Sequence, residues 1–370
     1  MTTRASIDAV TLLTAWRRAG LLTAEETPVV AEAMAATTRD AEPPLHLKIL
    51  SGIGTFFATI FFAGFLAMAD LISFKSGAGT LGWGVALLAA GIGLSFVLKG
   101  RSPGLGRDFL AQATFAAMAV GKVLCVAGAI LIFGERTPWV ATITLFLVTV
   151  ATYPVSGASL DRVLSPYAVA ASALFELMER GSGGEVTLSL TLFHAVATGL
   201  AGGLLLSHRR PDVLRPIGLA ALGAMGTVVC ILASGHDFGI WMSRRPIDPR
   251  PIEAMLTLSL VGTIVWAAGG VDRLARPPLA AAAVGAVLLG FAGAPGIVFA
   301  LMLLVAGHAL HDVPMRVVGI LALPAFLVLW YYGRDMTFLE KSVTLVGSGA
   351  LLLAARGWMR FAGWDREDAA

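Results

Sequence analysis

The sequence predicts an all-α fold: a polytopic transmembrane bundle of about twelve spans, with ten as the lower bound, behind a short N-terminal helical hairpin. Three observations carry this prediction. Apolar residues make up 57% of the 370 positions and charged residues 14%, against roughly 25% charged in a soluble domain. That leaves too little polar surface to cover a soluble core of this size. The apolar residues also form unbroken runs: Ile49 to Ala69 holds 21 residues without a charge, and Trp139 to Leu160 holds 22, where ~20 suffice to cross the hydrocarbon as a helix. Finally, the runs are continuous and lack the strict alternation of a membrane barrel strand, so they read as helices.

The elements follow in order. Residues 1–48 mix charge with amphipathic pattern and read as two short helices on the cytoplasmic side. The first, from about Ser6 to Ala19, lines up Ile7, Val10 and Leu13 and stops at Gly20. Thr23 and Glu26 have capping-box spacing for the second, which carries Val29, Val30, Ala33 and Met34 before Pro43 and Pro44. The segment has no apolar h-region of a signal peptide, so the first span is expected to target the chain.

The transmembrane domain is expected over 49–359. Its spans are predicted at Ile49–Ile72, Leu81–Leu98, Phe109–Phe133, Trp139–Gly157, Val163–Met178 and Val186–Leu206. The second half follows with Ile217–Ala233, Glu253–Val271, Leu279–Ala292, Pro295–His308, Met315–Gly333 and Ser342–Met359. The fifth, ninth and tenth are short. The fifth is a candidate re-entrant segment. The ninth and tenth, parted only by Gly293 and Ala294, read as half-helices or a tight hairpin. A polar tail, 360–370, closes the chain.

Lysines and arginines orient the bundle. With twelve spans, eighteen fall on the side of both termini and eight on the other, so the positive-inside rule places both termini in the cytoplasm. The Ser234–Ile252 loop, with Arg244, Arg245 and Arg250, runs against this bias. The net charge of +3 is a topology signal and gives no reason to expect a nucleic-acid partner; the bilayer is the expected one. Cys125 and Cys230 both lie in apolar runs and are expected to pack as small hydrophobes.

A few polar groups inside spans call for explanation. Lys122 sits near the middle of the third span, where burying an ammonium costs about 2.5–3.5 kcal/mol on insertion scales. It is either a cation serving a substrate or coupling site, or a structural lysine paired within the bundle. His194 lies mid-way along the sixth span, and Glu176 with Glu179 near the end of the fifth. Glu176 is a candidate partner for Lys122, so Lys122, His194 and Glu176 form the candidate intramembrane polar site. His308, His311 and Asp312 have the spacing with which two imidazoles and a carboxylate meet a cation on one helix face. A polar turn before Pro314 explains them equally well, and no metal or other cofactor is expected. Trp330, Tyr331 and Tyr332 followed by Arg334 and Asp335 read as an interfacial belt. Gly199 and Gly203 give a small-xxx-small spacing expected to pack closely. No Gly-x-Ser-x-Gly elbow, Walker loop, His-Glu-x-x-His or CxxC pair is found, so an enzyme is not the expected class.

The stretch Gly307 to Arg356 contains Gly307-His308, an apolar helix, Trp330-Tyr331-Tyr332 and Leu339-Glu340-Lys341-Ser342 before a Gly-rich span. With Ser51-Gly52-Ile53-Gly54 at the start of the first span and Gly121 ahead of a polar residue, it resembles the bacterial membrane family catalogued as domain of unknown function 4401. That family favours an amide where this chain has Lys122. The segment Trp16-Arg17-Arg18-Ala19-Gly20-Leu21-Leu22 with Glu26 resembles the related family 2157, in which a short helical hairpin precedes the spans. The resemblance implies a bacterial inner-membrane location, no assigned activity, and a complex with a second, smaller membrane protein bearing a Gly-Asp-Tyr signature. The expectation is thus a structural or assembly component of an envelope membrane complex. The alternative is a transporter or permease for a small or lipidic solute that uses Lys122, His194 and Glu176; a membrane-embedded enzyme is the third class. Convergence of these groups on one water-accessible pocket would favour transport, and separate satisfaction would favour structure.

Overall fold

The computed structural model describes residues 76 to 332, apart from 101–104, 135–136, 157–158, 182, 207–210 and 234–247, together with isolated positions in the flanking regions. The N-terminal hairpin, the first and twelfth predicted spans, the C-terminal tail and most of the Ser234–Ile252 loop lie outside the described residues.

Among the described residues every regular element is helical. In chain order they are α1 (Gly77–Lys99), α2 (Leu105–Phe133), α3 (Val140–Thr152), α4 (Ser159–Arg180), α5 (Gly183–Leu205) and α6 (Pro211–Ala233). Then come α7 (Arg250–Ala268), a short 3-10 helix (Val271–Ala275), α8 (Pro277–Phe291), α9 (Pro295–Ala309) and α10 (Val313–Tyr332). Six of these, α1, α2, α5, α6, α7 and α10, are long and apolar enough to cross a membrane. This is a multi-pass membrane protein, and Phe146, Leu258, Phe291 and Leu321 are among the many large apolar side chains turned outward, as lipid allows.

The six match the predicted second, third, sixth, seventh, eighth and eleventh spans to within a few residues at most ends. The remaining four predicted spans in this region are different in kind. The fourth shortens to the 13 residues of α3, about 20 Å at 1.5 Å per residue, and just beyond its end Pro154 has no N–H with which to carry the hydrogen-bond ladder on. The fifth is a 22-residue helix, α4, but one whose polar side carries Asp161, Arg162, Glu176, Glu179 and Arg180, so it is absent from the six. The ninth and tenth are α8 and α9, 15 residues each. They meet at Gly293, whose φ is 61°. Both lie against α7 and touch each other far less than α9 touches α10, so the junction is an open bend, closer to the half-helix expectation than to a tight hairpin.

The chain divides into two compact units, Met1–Gly128 with Val155–Ala158, and Ala129–Pro154 with Ser159–Ala370. In the first, α1 begins at Ser76, whose hydroxyl accepts from the Gly79 amide at 3.3 Å. Helices α1 and α2 then approach closely along glycines two turns apart on each: Gly84 lies against Gly121 and Cys125, Gly91 against Met118, and Gly128 against Leu81. A Cβ on Gly84 would sit 2.7 Å from the Cys125 amide nitrogen, and one on Gly128 would sit 2.6 Å from that of Leu81. In a bilayer the hydrophobic effect does not draw helices together, so close packing over small residues takes its place.

The second unit packs by side chains. Leu174, Leu190, Met225, Val228, Leu256, Val298 and Phe299 belong to one continuous buried cluster. Helix α9 lies at its centre, apolar on every side, against α6, α7 and α10. Cross-helix hydrogen bonds join Thr142 to Ser172 at 2.8 Å and Tyr167 to Thr227 at 3.0 Å. The expected close packing at Gly199 and Gly203 is absent: a Cβ at either would meet nothing within 4 Å. The close glycine contacts of this unit are elsewhere, as at Gly296 on Phe326 and Gly290 on Thr257.

Candidate functional site

Lys122 belongs to the first unit. It follows Gly121 in the glycine seam, one turn from the fully buried Met118, and its own side chain is 5% exposed. The residue that the sequence marks as costly is therefore inside packed protein.

Glu176 and His194 belong to the second unit, and they are treated differently there. The Glu176 carboxylate accepts from Arg180 Nε at 2.5 Å, one helical turn away. That i,i+4 pair closes off the acid within α4. His194 on α5 is 0% exposed, and neither ring nitrogen has a hydrogen-bond partner among the described residues. Its backbone carbonyl accepts from Thr198 Oγ1 at 2.8 Å, so the main chain is satisfied and the imidazole is not.

The His308–His311–Asp312 group is a helix-ending turn. At the end of α9 the amide of His311 donates to His308 O and that of Asp312 to Gly307 O, at 3.2 and 2.9 Å. His311 takes the left-handed conformation, φ 54°, as the Schellman geometry requires. Asp312 then starts α10: its carboxylate accepts from the Met315 amide at 3.1 Å and from Arg215 of α6. Both of its oxygens are thus in use, and both imidazoles point to the exterior. Among the described residues no three His, Cys, Asp or Glu side chains are grouped to hold a metal ion. The cap was legible in the run Asp312-Val313-Pro314, since aspartate favours the N-cap and proline the first turn. The pairing with Arg215, 97 residues earlier, left no local signal.

Sequence reasoning missed an open space in the second unit. A cavity of about 520 Å³ lies among α3, α4, α5 and α6. Phe146 and Val150 of α3, Ala170 of α4, Val196 and Leu200 of α5, and Ile217 of α6 lie along its walls. The short α3 and the small residues of α4 and α6, Ala173, Ala220, Ala221 and Ala224 among them, leave the gap unfilled. Its polar wall residues are Thr149, whose buried hydroxyl has no partner among the described residues, and Tyr153. The Tyr153 hydroxyl donates to Val213 O at 2.6 Å. Neither His194 nor Glu176 is part of the wall. A chamber walled almost wholly by apolar side chains, with no carboxylate, imidazole or amine among its lining residues, has the chemistry to hold hydrocarbon.

The family model described as Domain of unknown function (DUF4401) matches residues 44–360. No curated protein and no solved structure matches the chain.

Proposed function

The chain belongs to the family of domain of unknown function 4401, and from that premise we propose that it is a structural or assembly component of a bacterial envelope membrane complex. One observation carries this reading. The buried carboxylates of the second unit are engaged one by one by their neighbours: Glu176 by Arg180, Asp312 by Arg215, and Asp161 by Ser165 at 2.9 Å. None opens onto the chamber between α3 and α6. Solute pathways gather intramembrane ionisable groups around one watery pocket, whereas here two of the pairs close within α4 and the third ties α10 to α6. In this reading the protein sits in the inner membrane with both termini in the cytoplasm, as the arginine bias supports, and its partner is a second, smaller membrane protein.

The apolar chamber favours one second reading, handling of a lipidic solute, because its walls suit hydrocarbon. The two separate by experiment. Solubilised in mild detergent from the native membrane after brief cross-linking, the protein is expected to carry a second membrane protein in fixed ratio. Recovery of the chain alone, at every cross-linker concentration, contradicts the assembly reading.

A further inference from the structure

We infer that Arg316, where α9 turns into α10, holds the phosphate of an anionic phospholipid whose chains lie along the outer face of α10. The assignment is independent of the assembly reading.

The arginine is out of keeping with its helix face. Positions 313, 316, 317 and 320 share one side of α10 by helical spacing. Val313, Val317 and Ile320 are exposed, so in a bilayer that stripe meets hydrocarbon. Arg316 puts a cation on it within the first turns of the helix. Gly307 accounts for how the side chain is seated. The Arg316 Cγ lies 2.9 Å from the place a Cβ on Gly307 would take, so the stem runs against α9 and the residue is partly buried.

Charge gives the class of ligand. The Arg316 Nε is buried and has no hydrogen-bond partner, and the guanidinium pairs with no carboxylate among the described residues. Asp312, one turn earlier, is taken up by Arg215 of α6 and by the Met315 amide. Two guanidiniums thus stand at this turn for one carboxylate, and positive charge is left over. Arginine takes phosphate oxygens on its paired N–H groups, and basic sites between the ends of membrane helices hold anionic head groups. Hydrocarbon directly beside the cation selects a phosphate that carries chains over a soluble one.

The full chain, reconstituted in mixed vesicles of phosphatidylethanolamine and phosphatidylglycerol, tests this with a diazirine near the ester of one chain on either lipid. Adducts are expected in the peptide from His311 to Leu321. The phosphatidylglycerol probe should exceed the other there by about fivefold, the worth of one basic residue at an anionic surface. Arg316→Gln, which keeps the stem against Gly307, should bring the two lipids to equal yield, and Arg316→Lys should keep part of the preference. Arg273→Gln, at an exposed arginine of the 3-10 helix, should leave it unchanged. Excess glycerol 3-phosphate in the buffer should not displace the probe. If Arg316→Gln does not fold, the two lipids on the unaltered protein decide the matter. Equal yields there, a preference that survives Arg316→Gln, or displacement by glycerol 3-phosphate would each overturn the assignment.

Discussion

The two units solve the same problem, holding helices together in lipid, with different weight on glycine contact and side-chain packing. In the first, α1 and α2 meet at Gly84, Gly91, Gly121 and Gly128, where an added Cβ would come within 3 Å of an atom of the facing helix. In the second, the packing is mostly through Leu, Met, Val and Phe, with close glycine contacts at Gly290, Gly296 and Gly319, polar pairs between helices and a chamber of about 520 Å³ left open. Backbone contact leaves no tolerance for added atoms, while side-chain packing around small residues does. The seam therefore has no space for an added side chain, and the chamber is where the second unit has room.

The largest expected effect breaks the seam. Gly128→Leu forces a side chain onto the Leu81 backbone, and overpacking of this kind should cost about 3 kcal/mol. The control is Gly199→Leu, which meets open space and should leave thermal unfolding in detergent unchanged. Equal losses at the two positions would erase the contrast between the units.

The braces come next. Asp312→Ala removes the cap of α10 and leaves Arg215 without its carboxylate. Lost cap and lost buried pairing together should cost about 2 kcal/mol, held down because the Arg215 side chain is half-exposed. Thermal melts should show the loss unchanged by chelators, whereas a chelator-sensitive wild type would return His308, His311 and Asp312 to metal binding. His194→Leu runs in the other direction. Removing an imidazole whose two buried nitrogens have no partner among the described residues should raise stability by about 1 kcal/mol. A marked loss of stability would show that the ring is bonded in the membrane. Smallest is Thr227→Val, which deletes the 3.0 Å bond to Tyr167 and should cost about 0.6 kcal/mol, the usual worth of such a bond between membrane helices.

What could be read from the sequence was what is local. A span is a run of apolar residues, so α1, α2, α5, α6, α7 and α10 were visible with their approximate ends. Local chemistry also explains the shortened elements in retrospect, since Pro154 ends α3 and Gly293 bends the chain between α8 and α9. Pairings between distant helices were not visible. Gly199 and Gly203 looked like a packing motif, yet the seam fell at Gly84 and Gly121, because glycine spacing does not say which face a neighbour occupies. The same limit hid the Arg215–Asp312 pair. The chamber was further from view, since it is made by what α3 and α4 lack: length in one, bulk in the other.

The account turns on that chamber being hydrocarbon. In a background with Cys125 and Cys230 replaced, a nitroxide at Ala170→Cys in reconstituted vesicles reports which paramagnetic collider reaches it. More frequent collision with oxygen than with a water-soluble nickel complex is the predicted result. Preferential collision with nickel would mean a water-filled path into the second unit, and would put a polar-solute pathway in place of the structural reading.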